Sequence, residues 1–477
     1  MVYALPVKRS LTHAHSPRDP FSHKASGAPA TFPPVAAGHL QAVGGADPAA
    51  DPDRRVAPVG IPTSRYTSPD FARLEMERLW PRVWQLACTV DQVANPGDWH
   101  EYRIGPYSVL VVRGDDGELR AFQNACRHRG SALCEGSGSS LVEIRCPFHR
   151  WTWDLQGRLR EVPSRREFGV LNDDLPLIRV EVDSWGPLVF VNLDPGAEPL
   201  AEFLDPVPAD SAWADLDTFH CTAAVSVSAR CNWKALIDGF SETYHVQGIH
   251  REMLAMCDDV NGPQQIWRRH GKLEQPYGLP SPRLGDRPDD QQVWNAFVQI
   301  MGNRIGRDLD ADAGPAPAVA PGSTMRDAIA AIIRERASAQ GLDYSHFTLD
   351  QTLNMSQYNL FPNITVLVFS DMLNVVRARP GATHLDSYMD AFTFERRPRT
   401  ANARSRPFEL ELDPTGELPL GLVLNQDLAN FAGSQRGMHQ PGLTHLMVSP
   451  TEECRIVNLH RNLEDFLDIS PSELTGL

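Results

Sequence analysis

The sequence predicts an α+β protein of two folded domains, a compact β domain and a larger mixed one, behind an unstructured tail. Three observations carry this expectation. Residues from Trp84 to about Asp194 read as short β-type runs separated by turn residues. From about 205 onward, strand-like runs alternate with longer helical periods. Residues 1–60 are rich in Ala, Pro, Gly and His and show no sustained hydrophobic period. The 477 residues suffice for two or three domains, and 42% hydrophobic with 22% charged residues is a globular composition. A formal charge of −15 argues against nucleic acid or an anionic membrane as partner, because both are held by clustered Lys and Arg. With no apolar run of bilayer-spanning length, no secretory h-region and eight scattered cysteines, a reducing, cytoplasmic setting is expected.

The elements follow in order. Residues 1–60 cannot bury enough apolar surface to offset their ordering entropy and are expected as a disordered tail. The first domain, 61–204, opens with "TSPDFARLEMERLW", where Ser68 can cap a helix with Pro69 in its first turn. "YSVLVVRGDDGELRAFQNA" is a hairpin turning at Asp115-Asp116-Gly117, and "GPLVFVNLDP" is a further strand. The second domain, 205–477, begins with "HCTAAVSVSARCNWKAL". It continues with a helical stretch over 236–256, helices within 290–340, strands over 356–396 and a late helix near 420–433. The Pro/Ala-rich run 308–322 reads as a linker.

Within the β domain, "NACRHRGSALCEGSGSSLVEIRCPFHRW" holds two mixed pairs, Cys126-x-His128 and Cys146-x-x-His149. A structural zinc site also uses two thiols and two imidazoles, but its usual spacing pairs Cys with Cys and His with His. Two loops that each give one Cys and one His suit a [2Fe–2S] cluster of Rieske type, with thiolates on one iron and imidazoles on the other. Cys134, in the same loop, reads as a structural thiol.

A second constellation follows in "CNWKALIDGFSETYHVQGIH": Asp238, Glu242, His245 and His250. On one helix the first three share a face. His250 lies about 140° round from His245, so the two histidines meet at one metal only if the helix distorts or ends, with Gly248 as the expected place. The plain alternative is a polar-faced helix with two unrelated histidines.

From about Tyr66 to the C-terminus the chain resembles the ring-hydroxylating Rieske oxygenases, on "CRHRG…CPFHRW" and on Asn232-Trp233-Lys234 with the acidic-x₂-His-x₄-His pattern. The resemblance implies a catalytic α subunit with a β-rich Rieske [2Fe–2S] domain and a helix-grip domain, an antiparallel sheet around a long helix. It implies Cys126, His128, Cys146 and His149 as cluster ligands. His245 and His250 would hold a mononuclear Fe(II), with a carboxylate completing a facial triad. Of Asp371, Asp386, Asp390 and Asp427, the last is expected: it stands inside the apolar stripe Leu420, Leu424, Leu428 and Phe431, and "NQDLANFAGSQRGM" resembles the family's late ligand-bearing helix.

The resemblance further implies a head-to-tail homotrimer, with or without a small β subunit. In it Glu242 bridges His149 of the partner subunit to its own His245. O₂ is the co-substrate, and electrons come from a ferredoxin and/or an NAD(P)H-dependent flavin reductase, since the chain carries no dinucleotide-binding or plant-type ferredoxin motif. Three positions depart from the common pattern: Arg150 and Gly239 stand where Gly and Asn are usual, and Glu242 replaces the commoner aspartate. A glutamate there is known in the branch acting on quaternary ammonium compounds.

Pocket candidates are Phe240, Tyr244, Tyr358 and Phe361. The expected reaction is hydroxylation, up to cis-dihydroxylation, of a small hydrophobic, aromatic substrate, as in aromatic-compound catabolism. The alternative is monooxygenation or N-dealkylation of a quaternary ammonium compound. A cluster-only electron carrier is the second alternative.

Overall fold

The computed structural model describes residues 57–170, 174–309, 312–401, 403–412, 420–469 and 475–476. The tail expected over 1–60 lies, up to residue 56, outside them. Asp115–Gly117 turns as expected: Gly117 takes φ +81°, and strands Tyr107–Arg113 and Leu119–Gln123 pair antiparallel with Val109 opposite Gln123. They belong to a seven-stranded antiparallel sheet in the order Gln85–Thr89, Leu188–Asn192, Arg179–Trp185, Leu119–Gln123, Tyr107–Arg113, Trp99–Ile104 and Ser137–Gly138. A small three-stranded sheet, Ile144–Arg145, Thr152–Trp153 and Leu159–Glu161, supports the second Cys-His loop. Leu110, Val112, Phe122, Ile144, Trp151 and Trp153 pack with Cys126 and Cys146 into the local core.

The second half is built on an eight-stranded sheet. Its order is Gln264–Ile266, Gly271–Gln275, Met355–Leu360, Ile364–Val368, Met372–Pro380, Ser387–Arg396, Phe219–Ala229 and Phe408–Leu412. All pairs are antiparallel except the last, where Ala223 runs parallel beside Phe408. Five helices matter for the site: α1 (Pro69–Arg78), α2 (Trp233–Gly239), α3 (Val246–Ile249), α4 (Leu422–Gly437) and α5 (Cys454–Leu467). α2 lies on strands Met372–Pro380 and Ser387–Arg396, and α5 on Gln264–Ile266 and Gly271–Gln275. One apolar core runs from Leu79 and Trp80 through the sheets to Leu463 and Leu467. No helix among the described residues is long and apolar enough to cross a membrane.

Two expectations are corrected. The N-terminal segment is not confined to the β domain, where the Tyr107 hydroxyl donates to the Met76 carbonyl at 2.9 Å. Strand Val59–Pro62 pairs with His445–Val448 of the catalytic half, and α1, capped by Ser68 as its sequence predicts, puts Glu75 against Lys234. Glu75 Oε1 lies 2.6 Å from Lys234 Nζ, Glu75 Oε2 accepts from Trp233 Nε1 at 3.2 Å, and all three side chains are buried. Burial pushes Glu75 up and Lys234 down, each against the pull of its partner. Removing one partner of such a pair typically costs about 3–5 kcal/mol, because the other charge is left buried alone. The segment is therefore stapled to the catalytic half. The second correction concerns 236–256, which is not one helix: α2 ends at Gly239 and α3 starts only at Val246.

Candidate metal centres

The two Cys-His loops have the same backbone geometry. Cys126 N donates to Ser131 O and Gly130 N to Cys126 O; Cys146 N donates to Trp151 O and Arg150 N to Cys146 O. In each loop the fourth residue after the cysteine is left-handed, Gly130 at φ +76° and Arg150 at φ +62°. Arg150 thus occupies a conformation that suits glycine, at a cost of about 1–2 kcal/mol. The loops bring the His128 and His149 rings to 4.7 Å between centroids, and His128 stacks on Trp151 at 5.0 Å. Both thiols are buried. Cys126 is pushed up, first by burial. At Cys146 the backbone N–H groups of His149 and Phe148 outweigh burial and hold the thiol below its ordinary value. His128 Nδ1 is buried without a hydrogen-bond partner. Paired sulfurs receiving N–H donors and an unsatisfied ring nitrogen between two loops are a donor set that fits a two-iron cluster.

The second centre forms where α2 stops. Three side chains of the sheet converge on the Phe240 carbonyl: Gln357 Nε2 at 2.6 Å, Asn359 Nδ2 at 2.9 Å and Thr365 Oγ1 at 3.2 Å. This anchoring, rather than Gly248, ends the helix, and α3 then carries His245 at its start and His250 at its end. Glu242 accepts from His245 N at 2.9 Å and lies 2.5 Å from His245 Nδ1. Gln426 Oε1 lies 2.7 Å from His250 Nδ1, and Gln426 Nε2 donates to Glu252. With both Nδ1 atoms held by oxygen partners, both Nε2 atoms face Asp427 Oδ1, at 3.8 Å from His245 and 2.9 Å from His250. One ligand atom from each of the three lies within 4.8 Å of the others. Two imidazoles with fixed outer nitrogens and one carboxylate, 5% exposed, fit a 2-His-1-carboxylate iron site. Burial lowers the His245 pKa, but Glu242 and then Asp427 outweigh it and leave the ring above its ordinary value.

The rival carboxylates are committed elsewhere. Asp371 pairs with Arg304, Asp390 with Arg377 and Arg379, and Asp386 accepts from Thr383. The buried face of α4 is Asp427, Phe431 and Gln435, not the expected leucine stripe, in which Leu420, Leu424 and Leu428 are only half-buried. Gln435 Oε1 accepts from Asn232 N at 2.8 Å and ties α4 to the start of α2. Of the pocket candidates, half-buried Phe240 stays near the triad, its ring 6.3 Å from that of Phe431. Tyr244 is 53% exposed. Tyr358 and Phe361 point elsewhere. Gln357 and Asn359 reach Phe240, so alternation sends Tyr358 to the opposite face, where its hydroxyl donates to Asp210. Phe361 packs on Phe466 of α5. Gln426 and Gln435 are not among the residues that the sequence predicts; Gln435 lies two helical turns beyond Asp427 on the same face, and nothing local marks Gln426.

Gly239 needs room rather than conformational freedom, because a Cβ there would lie 2.7 Å from the Phe431 ring. Helix propensity alone favours any other non-proline residue by up to about 1 kcal/mol. Gly239→Asn should nevertheless destabilise the chain by about 1–3 kcal/mol through overpacking, and Phe431→Ala in the same chain should relieve most of the added cost. A double-mutant cycle by urea denaturation checks it; an unperturbed Gly239→Asn variant contradicts the packing argument.

Two family models match the stretches of chain that carry these residues. The family model described as the ring hydroxylating alpha subunit (catalytic domain) matches residues 216–469, and that of the Rieske [2Fe-2S] domain matches 83–181. The glycine betaine monooxygenase oxygenase subunit of Pseudomonas aeruginosa (strain UCBPP-PA14) is 28% identical over 207 residues, 43% of this chain and 48% of the relative. The chloroplastic choline monooxygenase of Beta vulgaris is 31% identical over 222 residues, 44% and 48% of the two chains. The alignments span about half the length of these curated relatives. A crystal structure of a quaternary ammonium Rieske monooxygenase in complex with L-carnitine superposes with a TM-score of 0.61 at 16% identity, over 86% of this chain and 96% of that one.

Proposed function

Because the chain belongs to the ring-hydroxylating α-subunit family, with its Rieske [2Fe–2S] and catalytic domains, we propose that it is the oxygenase component of a Rieske monooxygenase acting on a quaternary ammonium compound. The observation that carries the substrate class is the company the chain keeps: the relatives described above bear the names of choline and glycine betaine monooxygenases. This reading replaces the aromatic one with its alternative. Glu242 in place of the commoner aspartate supports the same branch.

When bound, the cluster supplies single electrons and the iron supplies an O₂-activating centre. Cys126, His128, Cys146 and His149 would hold the first, and His245, His250 and Asp427 the second. Glu242 and Gln426 fix the ring orientation of the two iron histidines through Nδ1, so that each presents Nε2 to the metal. Among the described residues no hydrogen bond or ion pair joins either cluster histidine to Glu242, His245, His250 or Asp427. Transfer between subunits of a head-to-tail trimer, through Glu242, is therefore part of the proposal, as are a separate ferredoxin or reductase and a cytoplasmic setting. Phe431 stands one helical turn from Asp427, and its ring lies 6.3 Å from that of Phe240; aromatic faces of this kind can attract a trimethylammonium group.

A single-turnover experiment tests the substrate class. Chemically reduced protein is mixed with O₂ and, in turn, choline, glycine betaine, carnitine and naphthalene, and reoxidation of the cluster's visible spectrum is followed. Acceleration by a quaternary ammonium compound, with an oxygenated or demethylated product, is expected. Acceleration by naphthalene alone returns the site to aromatic oxygenation.

A further inference from the structure

The eight-stranded sheet carries a cavity on the face turned away from Phe240. Lys272 stands opposite Tyr358 and Glu274 opposite Ser356 in the paired strands Gly271–Gln275 and Met355–Leu360. All four share one face, because Gln357 and Asn359 are directed the other way, to Phe240. Lys272, Glu274 and Ser356 line a cavity of about 510 Å³ together with Trp213, Leu279 and Arg326. That volume lies within the roughly 300–1,000 Å³ usual for small-molecule sites.

The charges around this cavity do not balance. Lys272 Nζ lies 2.7 Å from both Asp210 Oδ2 and Glu274 Oε1, and Arg326 Nη2 lies 2.8 Å from Asp350 Oδ1. Burial pulls Lys272 down, but the two carboxylates outweigh it and hold its ammonium above its ordinary value. Two positive charges thus meet three negative ones, and no further cation pairs with these carboxylates among the described residues. Glu274 Oε1 also accepts from Ser356 Oγ at 2.7 Å, whereas Oε2 has no partner among them. The Glu274 side chain is 29% exposed and lines the cavity, so a ligand can reach it. Gln351 and Asn354 spend their oxygens on Thr348 and Arg326, which leaves neutral amide N–H groups beside it. Half-buried Trp213 supplies an aromatic wall, its ring 5.7 Å from that of Phe347. An anion would meet surplus negative charge here. A cation with an N–H and a short carbon frame meets a free carboxylate oxygen and an indole.

We propose that this cavity binds a small protonated organic amine, whose ammonium donates to Glu274 Oε2 while its carbon frame lies against Trp213. The ligand supplies the missing positive charge and joins the Trp213 segment to strand Gly271–Gln275. The inference is independent of the substrate class and of electron transfer.

The test titrates the full chain with n-butylammonium chloride at constant ionic strength, with tetramethylammonium chloride and sodium butyrate as comparisons, by calorimetry and thermal denaturation. Butylammonium should bind saturably and raise the thermal midpoint, and butyrate should do neither. Tetramethylammonium, which has no N–H, should bind at least about tenfold more weakly. Glu274→Gln should weaken butylammonium binding by about 10–100-fold and Trp213→Leu by about 2–5-fold, while His250→Ala should leave it unchanged. Should Glu274→Gln fail to fold, Trp213→Leu and the tetramethylammonium comparison carry the test. No saturable binding of butylammonium, equal binding of tetramethylammonium, or binding kept in Glu274→Gln and lost in His250→Ala overturns the proposal.

Discussion

Asp427→Ala should remove the mononuclear iron and leave the cluster in place. The intact protein is expected to hold roughly three iron and two acid-labile sulfide per chain; the variant should hold about two and two, with an unchanged visible spectrum. The reason is geometric. Among the described residues, Asp427 Oδ1 is the one carboxylate oxygen paired with both His245 Nε2 and His250 Nε2, and Asp371, Asp386 and Asp390 are taken by arginines or a threonine. Two imidazoles alone leave a divalent ion with too few protein ligands and no compensating negative charge. Oxygenation should fall by more than the roughly 10–100-fold typical of losing an outer partner of a metal ligand. The fold should survive, since the lost side chain ends against the imidazoles of His245 and His250 rather than in the apolar core. His250→Ala should reproduce the iron loss from another element, which guards against a local collapse of α4. Full retention of iron in both variants would mean that the triad is not the metal site, and would revive the cluster-only reading.

The parts of this architecture that were legible in the sequence are those whose information is local. The Asp115–Gly117 hairpin, the Ser68 cap of α1 and the two Cys-His loops each depend on a few adjacent residues, and the structure forms all of them. Misread features depend on partners far along the chain. No local signal breaks the helix after Gly239; the break is imposed by Gln357, Asn359 and Thr365, more than a hundred residues downstream. The face of Tyr358 follows from which neighbours in its strand reach Phe240, which alternation alone leaves undecided. The sequence predicts an amphipathic α4 burying leucines, but its inward face is Asp427, Phe431 and Gln435, because that face meets His250 and α2 rather than an apolar wall. The docking of α1 rests on a buried Glu75–Lys234 pair whose members are 159 residues apart. Functional sites are where local rules are expected to give way.

Glu242→Gln should separate iron binding from electron arrival. Glu242 touches no ligand position facing Asp427; it meets His245 on the outer side, at Nδ1 and at the backbone nitrogen. Glutamine keeps the length and one acceptor oxygen but loses the charge, and its amide group must turn an N–H toward one of two groups that both donate. His245 should therefore remain a ligand with weaker orientation, and most of the iron should be retained. Burial lowers the His245 pKa, but Glu242 outweighs it and holds the ring above its ordinary value, so this carboxylate favours positive charge on the ring, and the same interaction would make a metal-bound imidazole a better donor. If Glu242 also connects the cluster of one subunit to the iron of the next, the variant's cluster should reduce normally. Its reoxidation in single turnover, with O₂ and an accelerating substrate, should then slow by about 10–100-fold. Glu242→Asp keeps the charge but shortens the arm by one methylene, so it should fall between the two if charge matters more than reach. A variant that keeps its iron and reoxidises at the wild-type rate removes Glu242 from the electron path; one that loses its iron assigns it to holding His245 alone.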